Sequence, residues 1–313
     1  MNIKYPKNPK RINLVNNQNL PQVIVNAVAN DDYDSSGSDI STTKLIKPPR
    51  IVLLESRHYA ELEEDVADRI FSLLGQSVHT VLERAKSKKD IVERRLFYNG
   101  PETNGWTLSG QLDMLDSKGQ LMDFKITSAW TALDAQQNGK PEWEQQLNIL
   151  DFLCKKNPEN LKVFGKLLQP KSLSIIAILR DWSKLRIMHS DNYPKKQVVV
   201  IPIRRWSTQE QAKFVAERVG LHQRAASGVD VPVCTPQERW RKEDTYAIMK
   251  HGRKSAVRVL QTKKQATAYL KQNELVEGKH YKIIERKGED VRCENYCLVK
   301  NFCDYYTEKK IEF

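Results

Sequence analysis

The stretch from Gly110 to Thr127, GQLDMLDSKGQLMDFKIT, constrains the fold more than any other part of this sequence. Apolar residues alternate with polar ones on either side of Ser117-Lys118-Gly119, which predicts two short strands joined by a tight turn. On such a hairpin Asp113 of the first strand and Asp123-Phe124-Lys125 of the second converge on one point. Two hard oxygen donors and an ammonium group there suit a divalent cation and an attacking water. The bland alternative is an exposed turn with solvated Asp and Lys, in which Asp116 makes local backbone bonds.

The flanking segments give this hairpin a fold to sit in. Val66, Ile70, Leu73, Leu74, Val78, Val81 and Leu82 recur at three- and four-residue steps, predicting a long helix from about Glu61 to Lys86. Ser41 is placed to cap a short helix that must end before Pro48-Pro49. Strand signals follow at Ile91 to Tyr98, a helix at Trp143 to Lys155, and buried strands within Lys171 to Arg180 and Gln197 to Trp206. Gln209 to Ala226 reads as a helix, and Gly228 to Pro236 as a linker. This order predicts an α/β fold with a mixed sheet flanked by helices. The expected organisation is a flexible N-terminal arm over 1–39, a core over 40–227, and a basic C-terminal segment over 228–313.

Charge narrows the partner. Lys and Arg outnumber Asp and Glu 51 to 39, a formal charge of +12, so a polyanion is expected and nucleic acid leads. No apolar run approaches the roughly 20 residues that span a bilayer, and Met1 to Arg11 lacks a signal-like apolar stretch. A cytoplasmic, reducing location is therefore expected, where cysteines are poor disulfide material. Cys293, Cys297 and Cys303 form a dense run, with Cys234 upstream; four thiolates could hold a [4Fe–4S] cluster or a structural Zn²⁺. Cys154 reads as a core residue. Arg239, Arg241, Arg253 and Lys254 lie among aromatics, a pattern that suits single-stranded nucleic acid or, equally, a solvated charged face.

The ordered set Gly75/His79, Gly110/Asp113, Asp123/Lys125 and Gln146 resembles the RecB-like branch of the PD-(D/E)XK nuclease superfamily, over about residues 40 to 226. Its Gly-x-x-x-His helix, Gly-x-x-Asp strand and Asp-x-Lys are matched; of its Gln-x-x-x-Tyr helix only Gln146 is, because Leu150 stands where tyrosine is usual. The resemblance implies a PD-(D/E)XK restriction-endonuclease-like mixed sheet and a metal-dependent DNA nuclease, in particular an exonuclease on single-stranded ends. It implies that His79, Asp113, Asp123 and the Phe124 carbonyl hold Mg²⁺ or Mn²⁺. Lys125 would activate the water, and Gln146 would position the site. Without the resemblance, His79 reads as a satisfied core histidine, Gln146 as a loop-bonding side chain and Glu93 as a surface strand residue. The cysteine run is similar to that of phage-encoded and CRISPR-adaptation-type iron–sulfur exonucleases, with one extra residue in its first gap and Cys234 after the nuclease motifs rather than before them. That likeness implies a role in recombination, repair or replication with a protein partner from those processes. The rival class is a non-catalytic nucleic-acid-binding accessory protein on the same scaffold.

Overall fold

The computed structural model describes residues 3–5, 12–30, 37–85, 87, 89–164 and 166–311. The chain divides into two compact units, Met1–Val231 and Pro232–Phe313. The division falls within the stretch read as a linker.

The first unit contains β1 (Asn13–Val15), α1 (Gln22–Ala29), β2 (Ile40–Ser41), α2 (Thr42–Ile46), α3 (Pro49–Arg57), β3 (Glu63–Asp65), α4 (Ile70–Glu83) and β4 (Ile91–Tyr98). There follow β5 (Leu108–Leu115), β6 (Gln120–Thr127), α5 (Ala129–Asn138), α6 (Pro141–Lys156), α7 (Glu159–Phe164), β7 (Ser172–Leu179), α8 (Lys184–His189), β8 (Val198–Ile203) and α9 (Thr208–Ser227). The expected mixed sheet forms from six of these strands. Its order is β2-β5-β6-β7-β8, with β4 on the other side of β5.

Pairing is uneven along this sheet, and the unevenness makes the site. β4 lies antiparallel along the whole of β5, and β6 lies parallel to β7 over eight residue pairs. The β5–β6 hairpin, by contrast, pairs only Met114 with Met122 and Leu115 with Leu121 before the strands part. β2 takes over the vacated edge at the start of β5, pairing Ile40 with Leu108 and Ser41 with Ser109. α6 packs across one face of the sheet here, with Leu147, Leu150 and Leu153 all buried. Each such side chain removed from water contributes about 2 kcal/mol. The close approach depends on Gly110. A Cβ there would overlap Thr42 Oγ1 and come within 2.7 Å of Leu150 Cδ2 and 2.8 Å of Leu153 Cδ1.

Local signals behave as their chemistry dictates. Ser41 Oγ accepts from the Lys44 N–H at 3.3 Å and so caps α2, and Pro49 opens α3, where its missing N–H costs nothing. Ser207 and Glu210 form a reciprocal capping box at the start of α9, which stops at Gly228 (φ 71°). The long helix expected from Glu61 is shorter. Glu63–Asp65 pair with Asn13–Val15 as parallel strands instead, and Asp65 Oδ1 accepts the Ala67 N–H at 2.8 Å to open a 3-10 turn into α4. In the segment expected as a flexible arm, the apolar run Val23-Ile24-Val25 lies within α1.

The second unit contains β9 (Thr245–Lys250), β10 (Arg258–Leu260), α10 (Lys263–Gln272), β11 (Tyr281–Arg286), α11 (Val291–Asn295) and α12 (Asp304–Ile311). The three strands form an antiparallel sheet in the order β10-β9-β11. Ile248, Ala266 and Leu270 form its core, and a Thr262/Gln265 capping box opens α10.

Candidate active site

Strand register places three carboxylates in a row. Val92 faces Met114 and Arg94 faces Leu112, so Glu93 lies opposite Asp113; Met114 faces Met122, so Asp113 lies beside Asp123. The parting of β5 and β6 begins at this row. The Phe124 N–H donates to Asp113 Oδ2 at 2.8 Å, so a side chain takes an amide that would otherwise enter the ladder. Glu93 adopts a left-handed backbone (φ 48°), which a non-glycine residue holds at a cost of about 1–3 kcal/mol.

His79 closes the row from α4. Its Nδ1 lies 3.3 Å from Glu93 Oε1 and 3.6 Å from Asp113 Oδ2. One ligand atom from each of His79, Glu93 and Asp113 lies within 4.8 Å of the others. The hydrogen bond to Glu93, followed by the nearby carboxylates, raises the His79 pKa against the opposing effect of burial. Burial also opposes ionisation of Glu93, but hydrogen bonds from His79 and from Gln111, whose Nε2 donates to Glu93 Oε2, keep its pKa below the usual value. Asp113 is pushed up to about 7, first by burial and then by the Asp123 carboxylate. A carboxyl raised so far stands in a site short of positive charge.

Asp123 shows the same shortage. It is 1% exposed; its Oδ1 accepts from Gln146 Nε2 at 2.7 Å, and its Oδ2 lies 2.7 Å from Lys125 Nζ. The lysine contact has ion-pair distance without hydrogen-bond geometry, and Oδ2 stays a buried oxygen with no directional donor. Such an atom is costly unless something else satisfies it. One imidazole and three carboxylates around an undersatisfied oxygen fit a hard divalent cation. His79, Glu93 and Asp113 border a cleft of about 850 Å³, lined also by Phe71, Gly75, Arg95, Gln111 and Lys125, while Asp123 is buried beside them.

Thus His79, Asp113, Phe124, Lys125 and Gln146 line one cleft, and Asp123 is buried against Gln146 and Lys125. Leu150 is 1% exposed and packs over Gly110, where it can make no hydrogen bond. Glu93, set aside on sequence grounds, stands inside the row. Its only sequence signal is a carboxylate in the strand before the hairpin, and no tight turn fixes that strand's register.

In the second unit, Cys234, Cys293, Cys297 and Cys303 form no disulfide, and the last three lie within electrostatic reach of Cys234. Burial pushes Cys234 up to about 12 and Cys293 up to about 11, with the neighbouring thiols adding to it. Among the described residues, no three of these sulfurs share the 4.8 Å mutual spacing found at His79. Arg239 is turned inward, its side chain 12% exposed, with Nε 3.2 Å from Asp290 Oδ1 and its guanidinium 4.5 Å from the Tyr305 ring centroid. Arg241 reaches the same Asp290 at 3.8 Å and Asp244 at 3.5 Å. The buried Asp290 carboxylate draws both cations in. Arg253 and Lys254 are exposed beside Gly252 (φ 76°). Cys154 is buried in α6.

No family model matches the chain, and no curated protein does. Among solved structures, it overlaps the crystal structure of SSO0001 over 65% of this chain and 87% of that one, at 14% identity and a TM-score of 0.41. LHK-Exo in complex with dAMP overlaps over 61% and 90%, at 13% identity and a TM-score of 0.36. An alkaline exonuclease, LHK-Exo from Laribacter hongkongensis, overlaps over 61% and 94%, at 15% identity and a TM-score of 0.29. Overlaps this loose leave the geometry of the cleft as the ground for its function.

Proposed function

We propose that the chain is a divalent-metal-dependent DNA nuclease that hydrolyses phosphodiester bonds, acting as an exonuclease on single-stranded ends. The observation that carries this reading is the row Glu93, Asp113, Asp123, with His79 at one side, Lys125 at the other, and Asp123 Oδ2 buried without a donor. His79, Glu93, Asp113, Asp123 and the Phe124 carbonyl would hold Mn²⁺ or Mg²⁺, and the imidazole favours Mn²⁺. A divalent cation there supplies Lewis acidity toward a phosphate oxygen and lowers the pKa of a water.

The side chains do the rest. Gln146 holds Asp123 Oδ1 and so fixes the rotamer that presents Oδ2. Lys125 keeps an ammonium at that oxygen, where it orients the attacking water and offsets charge building on the phosphate. Asp113, tied to the Phe124 amide, keeps the two strands at a set separation.

End-labelled linear and closed circular DNA incubated with Mn²⁺ or Mg²⁺ tests the reading. Loss of label from linear single strands, intact circles, and no activity in Asp123→Ala or Lys125→Ala are expected. Wild-type protein that binds these strands and never cuts them under either metal would move the chain to the accessory class.

The four cysteines are proposed to hold a structural [4Fe–4S] cluster. The likeness of their run to that of iron–sulfur exonucleases supports this over a structural Zn²⁺. Arg253 and Lys254 are proposed phosphate contacts, supported by their exposure at a turn. Anaerobically purified protein should be brown; a colourless protein with stoichiometric zinc sinks the cluster. The resemblance supports a cytoplasmic role in recombination, repair or replication.

A further inference from the structure

α4 is an apolar helix that buries none of its residues. Phe71 is 54% exposed, and it borders the same cleft as His79, Glu93 and Asp113. An aromatic ring left in water at such a place forfeits the burial that normally justifies it.

Two neighbours show what the ring is set up for. The Arg180 guanidinium lies 3.7 Å from the Phe71 ring centroid, stacked on one side. Arg180 itself is held where β7 leaves the sheet, by its N–H to the Thr127 carbonyl at 3.0 Å. It does not border the cleft, whereas Phe71 does, so the guanidinium backs the ring and leaves the other side to the cleft. The second neighbour is Gly75. Phe71, Gly75 and His79 recur at four-residue steps along one side of the helix, about 12 Å of helix axis from first to last. A Cβ at Gly75 would meet nothing within 4 Å, so packing does not require the glycine. It leaves a gap between the ring and the metal-side histidine.

We infer that Phe71, backed by Arg180, is a stacking platform for one unpaired nucleobase of the substrate strand, and that the Gly75 gap admits the nucleotide between that base and the cleavage point. This rests on the nuclease reading and deepens it. A flat hydrocarbon face beside a cation suits a base with its phosphate, and it serves any base because each has a π-face. A base paired within a duplex has no free face to offer. Single-strand preference then comes from stacking inside the cleft.

The test measures binding of fluorescein-labelled oligothymidylate and of the same strand carrying abasic residues, with Ca²⁺ replacing Mn²⁺. Wild type should bind the normal strand about 10-fold more tightly than the abasic one. Phe71→Ala should weaken the normal strand about 10-fold and leave the abasic strand unchanged, and Phe71→Trp should restore discrimination. Gly75→Leu, which fills open space on a helix, should weaken both strands while the protein stays folded. Trp130→Ala, at an aromatic that is 57% exposed and does not border the cleft, should match wild type. Equal weakening of both strands by Phe71→Ala, or none, overturns the platform and leaves the nuclease standing. Wild type that discriminates between the strands yet never cuts with Mn²⁺ overturns the nuclease and leaves the platform.

Discussion

Two aspartates and two histidines of the first unit occupy opposite kinds of environment. Asp151, in α6, is fully buried and accepts from Lys155 Nζ at 2.9 Å, Arg205 Nε at 2.8 Å and Gln211 Nε2 at 2.7 Å. Asp123, equally deep, has one good donor and one misaligned ammonium. His222 is fully buried, with Nδ1 2.9 Å from the Tyr5 hydroxyl and Nε2 3.1 Å from the Leu45 carbonyl, and burial, helped by Arg218, drives its pKa down to about 4. His79 is half-exposed among carboxylates and shifts the other way. Asp151 and His222 have their bonding complete, whereas Asp123 and His79 retain capacity for a ligand. A completed buried network stabilises the fold, while an incomplete one lowers stability in return for function.

The largest effect should come from Asp123→Ala. Activity should fall about 10⁴-fold or more, because groups that act as a unit fail together, while the urea midpoint should hold or rise as an undersatisfied buried charge is removed. A midpoint that drops steeply would make Asp123 another Asp151. Next, Asp151→Ala should cost about 3–5 kcal/mol by leaving Arg205 and Lys155 facing a buried gap, measured by urea unfolding. If Asp151→Ala instead removes activity at unchanged stability, the division between the two aspartates collapses.

A smaller effect is the pH dependence carried by His222. Its folded pKa lies below its unfolded value of 6.5, so the unfolded chain takes up the proton first. Its contribution is complete above 6.5 and is lost as pH falls toward 4, about 3 kcal/mol in all. Unfolding of wild type and His222→Gln at about pH 7 and about pH 4.5 measures it, and the wild type should lose more. The subtraction is needed because Asp113, raised to about 7, contributes in the opposite sense, favouring the folded state at low pH. The smallest effect is Ser207→Ala, which removes one half of the α9 capping box and should cost about 1 kcal/mol without changing activity.

What was readable in the sequence follows from how local each signal is. The turn at Ser117-Lys118-Gly119 is tight, so it sets which residues of β5 and β6 face each other, and Asp113 meets Asp123 by counting. Glu93 is joined to β5 by the longer connection 99–107, so its register, and its positive φ, were not legible. The start of α4 was misjudged for a similar reason. Glu63–Asp65 form a strand only because Asn13–Val15, far away in the chain, pair with them. Arg239 and Arg241 read as outward cations until Asp290 approaches from about fifty residues downstream, a contact no local pattern announces. Caps at Ser41, Ser207 and Thr262 depend on three-residue neighbourhoods and were within reach of sequence.

The fork between β5 and β6 places its two aspartates on a rigid framework. Only two residue pairs tie the strands below it, and Leu150 and Leu153 of α6 pack from one face onto the bare backbone of Gly110 on β5. Asp113 and Asp123 stand on opposite lips of the fork. A cation held by that pair, as proposed above, would meet a spacing set by strand pairing and packing rather than by a flexible loop.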